Sequence, residues 1–167
     1  NDPDLKFKIL RPQEIPIYVG DGLYDVGITG LDWVQETGAD VKVLLNLEFG
    51  AAKLLMAVPK TTNANSSNEL LKLYNSSKKI LRVSTEYPSM VSRYLLGLSE
   101  YKRLYQEEEP IIITPWGKKG SNKWVQVYLS FGATEAKPPE EADAIADISE
   151  TGTTLEQNGL KPIDMIV

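Results

Sequence analysis

Short apolar runs rich in β-branched residues alternate with short helical patterns along most of this chain, and that alternation limits the fold more than any other feature. Residues 5–10 (LKFKIL), 24–29 (YDVGIT), 41–47 and 53–58 read as strands. Between them, residues 11–22 read as a turn and a short helix closed by glycine, and residues 31–37 as a helix stopped by Gly38. Residues 61–68 (TTNANSSN) form a polar loop, 69–74 a helix and 80–84 a strand. Met90, Val91, Tyr94, Leu95 and Leu98 recur at helical spacing, so residues 88–104 read as one amphipathic helix. Strands are expected over 111–114 and 124–129, separated by a basic, glycine-containing loop, PWGKKGSNK. The last part reads as a strand over 142–148, a turn, a short helix ending at Gly159, and a strand from 161. Strands alternating with helices give an α/β layer fold.

Composition removes whole classes of chemistry. Cys and His are both absent, which eliminates disulfides, zinc fingers, cysteine nucleophiles and histidine triads together. The net charge of -5 lacks the basic footprint of a nucleic-acid binder, so no nucleic-acid partner is expected. No apolar run reaches the roughly 20 residues that cross a bilayer. The polar start, Asn1-Asp2-Pro3-Asp4, shows no signal peptide, and a cytoplasmic protein without a membrane partner is expected.

Chemistry concentrates in residues 143–154, DAIADISETGTT. A strand here delivers Asp147 and Glu150 to the carboxyl end of a sheet, where open α/β sheets bind ligands. Thr151, Gly152, Thr153 and Thr154 then open a helix. Gly152 permits close backbone approach. Free N–H groups and three hydroxyls can cradle a phosphate, and the carboxylates can accept hydrogen bonds from a ribose. The plainer reading is a turn with an N-cap. A second segment, residues 24–32 (YDVGITGLD), offers Asp25, Thr29 and Asp32; its plainer reading is packing by Gly27 and Gly30 with Asp32 as a cap. A third, residues 84–93 (STEYPSMVSR), places Thr85 and Ser89 at a helix start with Arg93 one turn on; its plainer reading is a capped helix with a solvated Arg.

Four blocks in order resemble the ATP phosphoribosyltransferase family: RPQEIPIYVGDGLYDVGITGLDWVQE (11–36), LNLEFGAAKLLMAVP (45–59), VSTEYPSMVSRYL (83–95) and EEADAIADISETGTTLEQNGL (140–160). The last is similar to the family's signature for phosphoribosyl pyrophosphate (PRPP). Ala52 stands where the family has Cys, and residues 99–131 do not align with it. The family's opening strand and Lys-Gly-Arg loop are expected to precede this segment.

The resemblance implies a two-lobed fold like the type II periplasmic binding proteins, each lobe a mixed sheet flanked by helices, with the active site in the cleft. Residues 1–58 would form the first part of lobe I, 59–150 lobe II, and 151–167 a return toward lobe I. It implies condensation of ATP, through adenine N1, with PRPP, releasing pyrophosphate, as the first step of histidine biosynthesis. PRPP would be held by Asp143, Asp147, Glu150, Thr151, Gly152, Thr153 and Thr154. ATP would meet Thr29, Gly30, Asp32 and Arg93. No catalytic residue is assigned. Mg²⁺ would arrive on the substrate rather than on direct protein ligands. A homo-oligomer, with a regulatory subunit in some members, is implied. The alternatives are a non-catalytic small-anion binding protein of the same fold and a structural module in which TGTT is only a turn.

Overall fold

The computed structural model describes residues 4–48, 50, 53–149 and 153–167. The chain divides into two compact units, Asn1–Gly50 and Ala51–Val167.

In the first unit, α1 spans Ile15–Gly20 and α2 spans Leu31–Thr37. Pro16 pre-sets the backbone in the first turn of α1. Gly38 ends α2 in the left-handed conformation (φ 63°), which a Cβ would penalise. An added Cβ on Gly27 would strike the Ile15 side chain, so this glycine is needed for packing. The strands expected over 5–10, 24–29 and 41–47 are not formed: none of these residues enters a ladder. Their apolar side chains stay in solvent, with Phe7 90% and Ile9 99% exposed. The local pattern favours a strand, but a strand needs a neighbour for its N–H and C=O groups.

In the second unit, seven strands form one mixed sheet. They are β1 (Lys53–Pro59), β2 (Leu81–Thr85), β3 (Pro110–Thr114), β4 (Gly117–Lys119), β5 (Asn122–Leu129), β6 (Ala144–Ser149) and β7 (Leu160–Met165). The order is β4-β3-β5-β2-β6-β1-β7. Strands β3, β5, β2 and β6 run parallel; β1 is antiparallel to β6 and β7, and β4 is antiparallel to β3. Register places Leu54, Met56, Val58, Val83, Val125, Val127, Ala144 and Ala146 in the core. A second cluster joins Ala57, Ile145, Leu155 and Leu160.

Helix α3 (Ser67–Ser76) starts with a reciprocal cap. The Ser66 hydroxyl accepts from Glu69 N at 3.2 Å, and Glu69 Oε2 accepts from Asn65 N at 2.8 Å. The single helix expected over 88–104 is instead two, α4 (Pro88–Gly97) and α5 (Ser99–Tyr105). Leu98 between them is extended (φ -67°, ψ 139°). The break follows Gly97, a poor helix former, and Asn68 Oδ1 of α3 accepts the α5 amide of Glu100 at 3.0 Å. The loop expected over 115–123 contains β4 and makes a hairpin with β3. Helix α6 (Thr153–Gln157) leads through Gly159 into β7.

Candidate functional site at the carboxyl edge of the parallel strands

Strands β2, β5 and β6 are parallel and adjacent, so their carboxyl ends share one edge of the sheet. At that edge β2 leads to Glu86, β5 to residues 130–132, and β6 carries Asp147 before residues 150–152. The pairing of Thr85 with Ala146 sets Glu86, the residue directly after β2, near Asp147 of β6.

Asp147 is half-buried, and its carboxylate accepts from Ile148 N at 2.7 Å. Burial raises its pKa; the hydrogen bonds from Ile148 and Thr134 act against that, and nearby Glu135 adds to it. Thr134 and Glu135 lie in the short 3-10 helix Thr134–Ala136, which packs on β6. Glu86 is also raised, first by burial and then by the Asp147 charge. A Cβ on Gly132 would come 3.9 Å from Glu86 Oε1, so the chain after β5 closes on this carboxylate. Beneath the edge, Ser84 is 2% exposed and its hydroxyl has no hydrogen-bond partner among the described residues. Lys137 Nζ donates to Ser130 Oγ at 2.7 Å. The result is a group of part-buried carboxylates with hydroxyls at the strand ends, a surface suited to hydrogen bonding the hydroxyls of a sugar.

The sequence-derived residues separate on this frame. Asp147 lies at the edge. Thr153 and Thr154 begin α6 with both residues exposed. Glu150, Thr151 and Gly152 lie outside the described residues. Asp143 is not brought together with Asp147. It precedes β6 at the opposite end, about 13 Å away along the strand at the usual rise per residue. There it pairs with Arg82: Oδ2 accepts from Arg82 N at 2.8 Å and Nε at 3.0 Å, and Oδ1 from Nη2 at 2.9 Å. Burial pushes the Tyr74 pKa up to about 12, and the charge of Asp143 and its hydrogen bond with the Tyr74 hydroxyl add to this. Arg93 is exposed on α4, one turn beyond half-buried Ser89.

Thr29, Gly30 and Asp32 belong to the first unit. There Thr29 Oγ1 donates to Pro12 O at 2.8 Å, and the Asp32 carboxylate folds back over Gly30 at the start of α2. Sequence reasoning passed over Glu86 within the TEYP block. Its signal was its place directly after a strand that runs parallel to the Asp147 strand, which becomes visible only once strand order is known.

Among the described residues, no group of three His, Cys, Asp or Glu side chains is placed to hold a metal ion. None of their helices is long and apolar enough to cross a membrane.

The family model described as ATP phosphoribosyltransferase matches residues 11–167. The ATP phosphoribosyltransferase of Methanococcoides burtonii is 39% identical over 167 residues, covering 99% of this chain and 48% of the relative. That of Methanosarcina mazei is 40% identical over 165 residues, covering 98% and 46%. The chain thus spans about half the length of the curated relatives it matches. The solved ATP phosphoribosyl transferase (HisG:HisZ) complex from Thermotoga maritima has a chain similar in fold, with TM-score 0.65 and 22% identity, covering 94% of this chain and 61% of that one.

Proposed function

Because this chain belongs to the ATP phosphoribosyltransferase family, we propose that it supplies the PRPP site of an enzyme joining ATP to PRPP, the first step of histidine biosynthesis. The observation that carries this reading is Asp147, half-buried at the carboxyl end of β6 and four residues ahead of the Thr-Gly-Thr-Thr segment. In the proposal, residues 151–154 hold the 5′-phosphate, while Asp147 and Glu150 accept hydrogen bonds from the ribose hydroxyls. Adenine N1 attacks C1 of the ribose, the C1–O bond breaks, and pyrophosphate leaves with the electron pair. Adenine N1 already carries a free lone pair, so the reaction needs no protein base, which suits a chain without His. Positioning of the two substrates supplies much of the acceleration.

Mg²⁺ belongs to this proposal as an ion carried on pyrophosphate, where it neutralises the leaving group. The part-buried carboxylates of Asp147 and Glu86 are oxygen donors of the hard type this ion prefers. They would reach it through water.

The two-lobed arrangement is part of the same reading: 1–58 with 151–167 in lobe I and 59–150 in lobe II. ATP contacts at Thr29, Gly30, Asp32 and Arg93, a homo-oligomer, a regulatory subunit and a cytoplasmic setting also belong to the proposal. The Thermotoga maritima neighbour is itself a complex of two kinds of subunit. Calorimetric titration with PRPP and Mg²⁺ tests the core of it. Binding should weaken strongly in Thr153→Ala and vanish in Gly152→Val while both variants stay folded. Unchanged affinity in both would refute the loop assignment.

A further inference from the structure

The carboxyl edge of the sheet continues past β2 and β5 to a feature that the PRPP site leaves unused. Trp116 follows β3, and Phe131 follows β5. Their rings meet nearly at right angles (85°) with centroids 6.2 Å apart. Trp116 is 79% exposed and Phe131 73%. Two large aromatic side chains held together in solvent are costly for a surface with no ligand. Lys118 and Lys119 follow Trp116 in sequence on β4, both exposed, in a chain of net charge -5. Phe131 adjoins Gly132, whose open side faces the Glu86 carboxylate. The pair is therefore continuous with the Glu86–Asp147 edge. Strand spacing puts β5 about 10 Å and β3 about 14 Å from β6.

We propose that Trp116 and Phe131, with Lys118 and Lys119 following Trp116 in sequence, form a stacking platform for the purine base of the nucleotide substrate. The inference rests on the transferase reading and deepens it by naming a base subsite. Flat π-faces suit a purine, and a lysine two residues after Trp116 in sequence suits its phosphates. The exposed area is two side chains, far below the roughly 1,000 Å² that a specific protein partner needs, so a small planar ligand is the fitting occupant.

The test is calorimetry on the intact chain with MgATP and, separately, with PRPP. Trp116→Ala and Phe131→Ala should each weaken ATP binding by roughly 5- to 150-fold, the usual worth of a base stack, with PRPP affinity unchanged. Trp116→Phe, which keeps a ring, should retain most of the affinity, and Trp124→Phe, at the other end of β5, should be silent. Circular dichroism confirms that each variant is folded. Wild-type ATP affinity in both alanine variants overturns the platform. Loss of ATP and PRPP binding together overturns it as well, since the pair would then be structural. A change in sedimentation with ATP binding intact would assign the rings to a protein interface instead. A wild type that binds PRPP but not ATP overturns the platform alone; one that binds neither overturns the transferase reading with it.

Discussion

Asp143 and Asp147 sit on one short stretch of chain; the structure pairs Asp143 with Arg82, the proposed function gives Asp147 to PRPP, and a pair of substitutions can separate the two roles. Asp143→Ala removes three hydrogen bonds to Arg82, two to Oδ2 and one to Oδ1. The Asp143 side chain is 14% exposed and that of Arg82 32%, so the pair is partly shielded from water. A hydrogen bond to a charged group contributes about 1.5–3 kcal/mol, but these three share one carboxylate and are not additive. Arg82 also keeps its bonds to Glu140 O at 2.8 Å and Pro139 O at 3.3 Å. The net loss should be about 2–3 kcal/mol, below the cost of stranding a fully buried ion. For a chain of this size that lowers Tm by about 4–12 °C. PRPP affinity should not change, because Asp143 lies at the far end of β6. Asp147→Asn should do the reverse. Burial raises the Asp147 pKa, so its charged form opposes folding at neutral pH, and the amide should hold or raise Tm while PRPP binding weakens at least tenfold, about 1.4 kcal/mol. Calorimetry for both ligand and unfolding reads the contrast. Weakened PRPP binding in folded Asp143→Ala, or an unchanged Tm there, would refute the division of roles.

Three further outcomes are expected. Gly120 has φ +118°, and an added Cβ would collide with Pro110 O and lie 2.8 Å from Pro110 C, so Gly120→Ala should destabilise the hairpin by about 2 kcal/mol or more in denaturant unfolding. Burial and the Asp147 charge raise Glu86, so its folded-state contribution is favourable only below its ordinary carboxyl range and is lost as pH rises. Glu86→Gln should accordingly be the more stable form at pH 7, with the advantage vanishing near pH 4; equal Tm at both pH values would contradict this. Tyr74 and Tyr94 are both pushed up to about 12 from 10.0, chiefly by burial. Their stabilisation is complete below pH 10 and is lost as pH rises from 10 to 12, so alkaline unfolding should begin in that window and flatten in the Tyr74→Phe/Tyr94→Phe double variant.

What the sequence determined alone is whatever depends on near neighbours along the chain. The Gly38 and Gly159 stops, six of the seven strands in the second unit, and the acidic-then-Thr/Gly order after β6 were all legible from spacing and residue type, whereas residues 61–68, read as a loop, in fact hold the Ser66 cap and the start of α3. What depends on pairing was not. The runs at 5–10, 24–29 and 41–47 have strand periodicity, yet they form no ladder, because a strand exists only with a partner. Helix 88–104 broke at Leu98 because Asn68, thirty residues earlier, caps the second piece. Residues 143 and 147 were both placed in the PRPP site by the family resemblance, although the strand itself delivered only Asp147 to the carboxyl end. Only the parallel register of β2 with β6 gave Asp143 to Arg82 at one end and set Glu86 near Asp147 at the other. Local propensity is written residue by residue, whereas strand order and register arise from contacts between residues distant along the chain.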